Sequence, residues 1–205
     1  MLADLLARPG VVESVALRGR VGFLALHGGH LEKVTDVVAR EAADASNSSY
    51  YGVWHPDGPK HHVPSTAYDP TQSEKLRSFL DHVDVAIAVH GYGREELFHT
   101  LLVGGTNRAF ATTVSRGLQA VLPEPYAVID DVGEIPDGLR GLHPKNPVNI
   151  PVHGGVQIEL PPTLRWHRED HNWSEYGGAR RARHIDAVIG ELAVAAERFD
   201  HAGVS

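Results

Sequence analysis

Short, nearly continuous apolar runs alternate along this chain with stretches in which apolar residues recur at helical spacing. Val12 to Leu17 and Val21 to Leu26 predict two strands joined by a tight Arg18-Gly19-Arg20 turn. The second run is apolar at almost every position, as a strand covered on both faces must be. Leu31, Val34, Val38, Ala42 and Ala45 recur every three or four residues and predict an amphipathic helix over 31–45, lying on a sheet. A short strand near Tyr51 to Trp54 leads into a loop rich in aromatic residues and histidine, followed by a helix at about Gln72 to His82. Asp84 to Val89 is a second wholly apolar strand and Leu101 to Val103 a short one, while Asn107 to Val121 carries Phe110, Val114, Leu118 and Val121 on one helical face. Tyr126 to Ile129 and Val156 to Leu160 add two strands, and a helix over about Arg181 to Phe199 comes last. Strands alternating with helices predict one α/β domain over 1–205, built on a twisted, mostly parallel mixed sheet flanked by helices.

A chain of 205 residues fits a single core. No apolar run approaches the roughly 18 residues that span a bilayer. The N-terminal MLADLLARPGVVES has an acidic residue where a signal peptide carries basic ones, so no export signal is visible and a cytoplasmic location is expected. With 26 acidic against 19 basic residues and a net charge of −7, neither nucleic acid nor an anionic membrane is expected as the main partner. Cysteine is absent and histidine numbers 14, so a transition metal here would have to be held by imidazole and carboxylate.

Two apolar runs end in the same dipeptide, His27-Gly28 and His90-Gly91, and a third pair, His153-Gly154, precedes Val156. In open α/β sheets ligands bind beyond the carboxyl ends of the strands, which is where His27 and His90 are expected. Glu32, five residues past His27 at the predicted helix start, can point back toward the same edge. Two imidazoles and a carboxylate with an open fourth position are the ligand set of catalytic zinc. Each residue also has a plainer explanation, the histidines as turn residues and Glu32 as a carboxylate favoured by the helix dipole. Glu159 lies inside the apolar run Gly155 to Leu160. It is either a general base whose pKa is raised by apolar surroundings or the ion-pair partner of Arg165. The histidines of the predicted loops, His55, His61, His62, His167 and His171, are expected to be exposed. Leu26-His27-Gly28-Gly29 also resembles a lipase oxyanion segment, but no G-x-S-x-G elbow accompanies it.

The segments LHGGHLEKVTDVVA, VAIAVHGYG, LLVGGTNRAF, GLHPKNPVN and HGGVQIELPPTLR, in that order, resemble the poly-γ-glutamate hydrolase family of zinc peptidases of phages and bacteria. The fold of that family is similar to that of zinc carboxypeptidases. The resemblance implies that His27, Glu32 and His90 bind zinc and that Glu159 is the general base. It also implies that Asn107-Arg108 grips a substrate carboxylate, as an Asn-Arg pair does in carboxypeptidases. The implied substrate is an anionic glutamate-like polymer or peptide cut at γ-glutamyl amide bonds, and a phage-encoded enzyme would be released by lysis. Two alternatives stay open: a zinc amidase or deacylase acting on another acyl-amino-acid or cell-wall peptide, and a non-catalytic zinc-binding module.

Overall fold

The computed structural model describes residues 1–202. Its elements, in chain order, are α1 (Leu2–Leu6), β1 (Val12–Ala16), β2 (Val21–Gly29), α2 (Thr35–Ala45), β3 (Ser49–His55), α3 (Glu74–His82), β4 (Val85–Gly91), β5 (Thr100–Gly104), α4 (Arg108–Val121), β6 (Ala127–Ile129), β7 (Gly155–Leu160), α5 (Pro162–Arg165), the two-residue strands β8 (Trp166–His167) and β9 (Asn172–Trp173), and α6 (Ile185–Ala202). Seven strands form one mixed sheet in the order β1-β3-β2-β4-β7-β5-β6. The neighbours β3-β2, β2-β4, β4-β7 and β5-β6 run parallel, whereas β1-β3 and β7-β5 run antiparallel. Among the described residues no helix is long and apolar enough to cross a membrane.

Both faces of the sheet are covered, which is why its central strands are apolar along most of their length. Phe23, Ala25, Ile87, Val89, Val156 and Ile158 point to one face and pack with the apolar sides of α2, α4 and α6. Leu24, Leu26, Ala86, Ala88 and Tyr51 point to the other, where Leu76 and Phe79 of α3, Leu2 and Leu5 of α1, and Tyr68 cover them. Burial of α4 follows its predicted face over Phe110, Ala111, Val114 and Leu118, while Val121, expected on the same face, is exposed at the helix end. Its side chain at Asn107 caps the helix by accepting from the Phe110 amide at 3.0 Å. Ser73 caps α3 in the same way through the Leu76 amide.

Three local expectations change. The Arg18-Gly19-Arg20 turn does not make a hairpin, because β3 lies between β1 and β2 and the Gly19 amide donates to the Asn47 carbonyl instead. The helix expected over 31–45 begins only at Thr35, since Val34 takes a left-handed conformation with φ of 80° and residues 30–34 form a turn. The last helix begins at Ile185, and Arg181 is drawn out of it by Glu41, Glu175 and Asp186.

Candidate active site

β2, β4 and β7 end side by side, and their last turns carry His27, His90 and Glu159. His90 and Glu159 are register partners and project to the same face as Ala86 and Ala88. Strict alternation along β2 would send His27 to the opposite face, with Phe23 and Ala25. A bulge prevents this: three steps of β2 from Ala25 to Gly28 match two of β3 from Gly52 to Trp54. The extra residue re-aims His27 toward Tyr68, His62 and His90, with ring centroids 5.9, 4.7 and 5.1 Å away. Gly29, at φ of 69°, then turns the chain where a Cβ would lie 2.4 Å from the His55 carbonyl oxygen.

The turn after Gly29 folds Glu32 back over the strand end, its amide donating to the His27 carbonyl at 2.8 Å. The Glu32 carboxylate bridges the two histidines. Oε1 lies 2.7 Å from His27 Nδ1, and Oε2 lies 3.1 Å from His90 Nδ1 and 3.0 Å from the Gly91 amide. His62 joins from the loop after β3: ligand atoms of His27, Glu32 and His62 all lie within 4.8 Å of one another. His62 is exposed on its loop, as expected, yet it faces His27. His55, also expected in a loop, is buried at the end of β3 with Nε2 3.3 Å from the Leu26 carbonyl.

This donor set fits a metal cation. His27 Nε2 lies 2.9 Å from the Val63 carbonyl, which can only accept, so Nε2 carries the proton. Its Nδ1 faces a Glu32 carboxylate oxygen 2.7 Å away, so imidazole and carboxylate converge on one point as the ligands of a cation would. The carbonyl behind the ring is the outer partner that usually orients a metal-ligating histidine. His90 presents Nδ1 in the same way, and its buried Nε2 has no hydrogen-bond partner.

The two carboxyls at the site are pushed apart. Burial alone would raise Glu32, but the charges of His27 and His90 and their hydrogen bonds outweigh it and hold the group well below the usual carboxylate range. Glu159 is raised well above it by burial and by the negative charge of Glu32; the Gln157 amide only partly offsets this. Glu159 has no ion pair with Arg165. Its Oε1 accepts from Gln157 Nε2 at 2.9 Å, while Gln157 Oε1 accepts from Asn146 Nδ2 at 2.8 Å. Arg165 turns away, donating to the carbonyls of Tyr92 and Lys33, and burial lowers its pKa to about 10. A cleft of about 680 Å³ opens over His27, Glu32, His62, His90 and Glu159, with Arg140 and His143 on its far wall.

Asn107 and Arg108 are not in this cleft. β5 is antiparallel to β7, so the residues that follow it emerge at the amino end of β7, where the Asn107 amide donates to the Gly155 carbonyl at 3.0 Å. Asn107 Nδ2 is spent on the His153 carbonyl, and the Arg108 guanidinium on the carbonyls of Val103, Gly105 and Asp130. Neither side chain is brought to the cleft that holds His27, Glu32 and His90, where a grip on substrate was expected. His153 lies at the same remote edge, its amide on the Asp84 carbonyl.

An α/β sheet with its polar site at the carboxyl edge defines the class of protein. Residues 7–180 match the poly-gamma-glutamate hydrolase family, and the chain belongs to that family of hydrolases. It is 36% identical over 97 residues to the SPbeta prophage-derived protein YoqZ of Bacillus subtilis, a segment covering 47% of this chain and 34% of that protein. It is 33% identical over 145 residues to YndL of the same organism, covering 69% of this chain and 53% of that one. The chain thus spans from about a third to about half the length of these relatives. Among solved structures it superposes on a bacteriophage poly-gamma-glutamate hydrolase with a TM-score of 0.77 at 20% identity, covering 95% of this chain and 91% of that one. Zinc-free YndL gives 0.73 at 21%, covering 90% and 88%. An N-formylglutamate amidohydrolase from Ralstonia eutropha gives 0.57 at 10%, covering 93% and 97%. At such identities these structural likenesses establish the fold.

Proposed function

We propose that this chain is a zinc-dependent hydrolase of γ-glutamyl amide bonds in an anionic glutamate polymer. The observation that carries the reading is the convergence of His27, Glu32 and His62, whose ligand atoms all lie within 4.8 Å of one another beside His90, with a buried, protonatable Glu159 opening on the same cleft. His27, Glu32 and His90 would hold the metal, with His62 beside them. Zinc in that position supplies a Lewis acid that polarises the scissile carbonyl and makes water a nucleophile near neutral pH.

The protein's own part begins with Glu159. Gln157 fixes one carboxyl oxygen, itself anchored by Asn146, so the other oxygen is left to take a proton from the attacking water and return it to the leaving amine. Burial gives this carboxyl the elevated proton affinity that such a shuttle needs. The Glu32 carboxylate stays ionised as a ligand, and the Val63 carbonyl keeps His27 in the ligating tautomer. Membership of the poly-gamma-glutamate hydrolase family and the fold shared with the phage enzyme support the polymer as substrate. The fold shared with an N-formylglutamate amidohydrolase supports a second reading, removal of a short acyl group from glutamate.

Assay of the chain on poly-γ-glutamate and on N-acylglutamates, before and after chelation and zinc restoration, separates the two. The proposal expects zinc-dependent shortening of the polymer; turnover of N-acylglutamate alone favours the second reading, and metal-independent activity removes both.

A further inference from the structure

A second cleft, of about 480 Å³, shares Gly91 with the metal cleft. Four cations line it: Arg8 from the segment after α1, Lys33 from the turn after β2, Lys60 from the loop after β3, and Arg165 at the end of α5. One carboxylate, Asp57, is present, 3.2 Å from His30. In a chain of net charge −7 this runs against the average. Among the described residues none of the four cations has a carboxylate within 4.0 Å, whereas Arg18, Arg20, Arg140, Arg180 and Arg181 all do.

Two of the four are held in place by features that leave their charge unmatched. Arg165 is 3% exposed, its Nη2 on the Tyr92 carbonyl at 2.6 Å and its Nη1 on the Lys33 carbonyl at 3.2 Å, while its buried Nε has no partner. The ring of Trp173 lies 5.0 Å from its Cζ. Lys33 Nζ lies 5.9 Å from the Trp173 ring and 5.3 Å from that of Tyr176. Glycine at position 91 makes room for the arginine, since a Cβ there would meet Arg165 Cζ at 2.5 Å. Carbonyls and aromatic faces orient a cation without neutralising it, and the carboxylates of Glu32 and Glu159 act on Arg165 only from beyond ion-pair distance, so its buried Nε is left without a direct partner. The missing component is an anion, and the geometry of a planar guanidinium and an ammonium suits a carboxylate.

We infer that this cleft is a carboxylate-binding subsite, which receives the free carboxylates of glutamate units on one side of the bond that is cut. The identity of the ligand rests on the proposed function; the anion preference rests on the cleft itself. Gly91 lines both clefts, which places this one beside the metal cleft.

The test uses the zinc-loaded Glu159→Gln protein, in which turnover is expected to be suppressed, and a γ-linked glutamate pentamer, with binding followed by calorimetry. Adding Lys33→Ala and Lys60→Ala should weaken binding about tenfold and flatten its salt dependence. Lys60→Glu, at an exposed position, should act in the same direction. The pentamer with its free carboxyls amidated should not distinguish parent from variant. A control pair, Arg116→Ala and Arg198→Ala, removes the same charge from exposed sites on α4 and α6 and should leave affinity intact. Equal pentamer affinity in the parent and the Lys33/Lys60 variant, or an equal loss in the control pair, would overturn the subsite. Failure of the wild-type chain to cut the polymer would overturn the functional reading instead, and the binding comparison would still decide the cleft.

Discussion

The two edges of the sheet carry similar motifs and put them to opposite uses. At the carboxyl edge of β2, β4 and β7, His27, His90, Glu32 and Glu159 are gathered on one cleft, and the buried His90 Nε2 has no partner. At the amino edge, Asn107, Arg108 and His153 sit beside another glycine turn, where the side chains of Asn107 and Arg108 are committed to backbone carbonyls and the His153 ring lies against Phe199. Strand direction makes the difference. β5 runs antiparallel to its neighbour β7, next to the parallel strands β3, β2, β4 and β7, so a motif that follows it is delivered to the amino edge of those strands. A chemically suggestive pair therefore needs its strand's direction before it can be given a role.

The largest effect that separates the edges is on turnover. Glu159→Gln keeps the size of the side chain and an acceptor for Gln157 but cannot take a proton, so kcat on poly-γ-glutamate should fall by roughly 10²–10⁴ with zinc retained. Loss of zinc in that variant would move Glu159 among the ligands. At the amino edge, Arg108→Ala removes charged hydrogen bonds to three backbone carbonyls and should cost about 1–3 kcal/mol of stability, read by denaturant unfolding. Zinc content and turnover per folded molecule should not change, and a selective rise in KM would return Arg108 to the site.

A smaller effect runs against the first in sign. Because the folded-state pKa of Glu159 is raised, its contribution to stability is fully present below about 4.3, the ordinary glutamate value, and is lost as the pH rises through the elevated native value. Metal-free Glu159→Gln should therefore melt higher than metal-free wild type at neutral pH, with the gain shrinking as the pH falls below that ordinary value. A constant gain at every pH would locate the effect in packing. Smallest of all should be His62→Ala: the residue is exposed on a loop, so its removal should lower zinc affinity less than His90→Ala, whose ring is fixed on a strand. The reverse order in a metal-competition titration would make His62 the third ligand.

The sheet, its covered faces and most helix cores were legible because apolar runs and three-to-four spacing report burial directly, as in Val85 to Val89 and in Phe110, Val114 and Leu118. The carboxyl-edge positions of His27 and His90 followed from the runs they end. Three things were hidden. The bulge that turns His27 to the correct face is an extra residue with no compositional mark. The antiparallel direction of β5 depends on pairing far along the chain, between Leu102 and Glu159. His62 reaches the site through a loop conformation that no local pattern encodes, although its place between His61 and Val63 in a histidine-bearing loop was visible. Gln157 and Asn146 lay within the segments that suggested the family; their roles in holding Glu159 needed coordinates.

Zinc stoichiometry in the double variant His27→Ala, His90→Ala, compared with wild type and with Arg108→Ala, tests the contrast between the two edges most directly. The account predicts about one tightly held zinc per chain in wild type and in Arg108→Ala, and none in the double variant. Full occupancy in the double variant, or loss of the metal on changing Arg108, would contradict it.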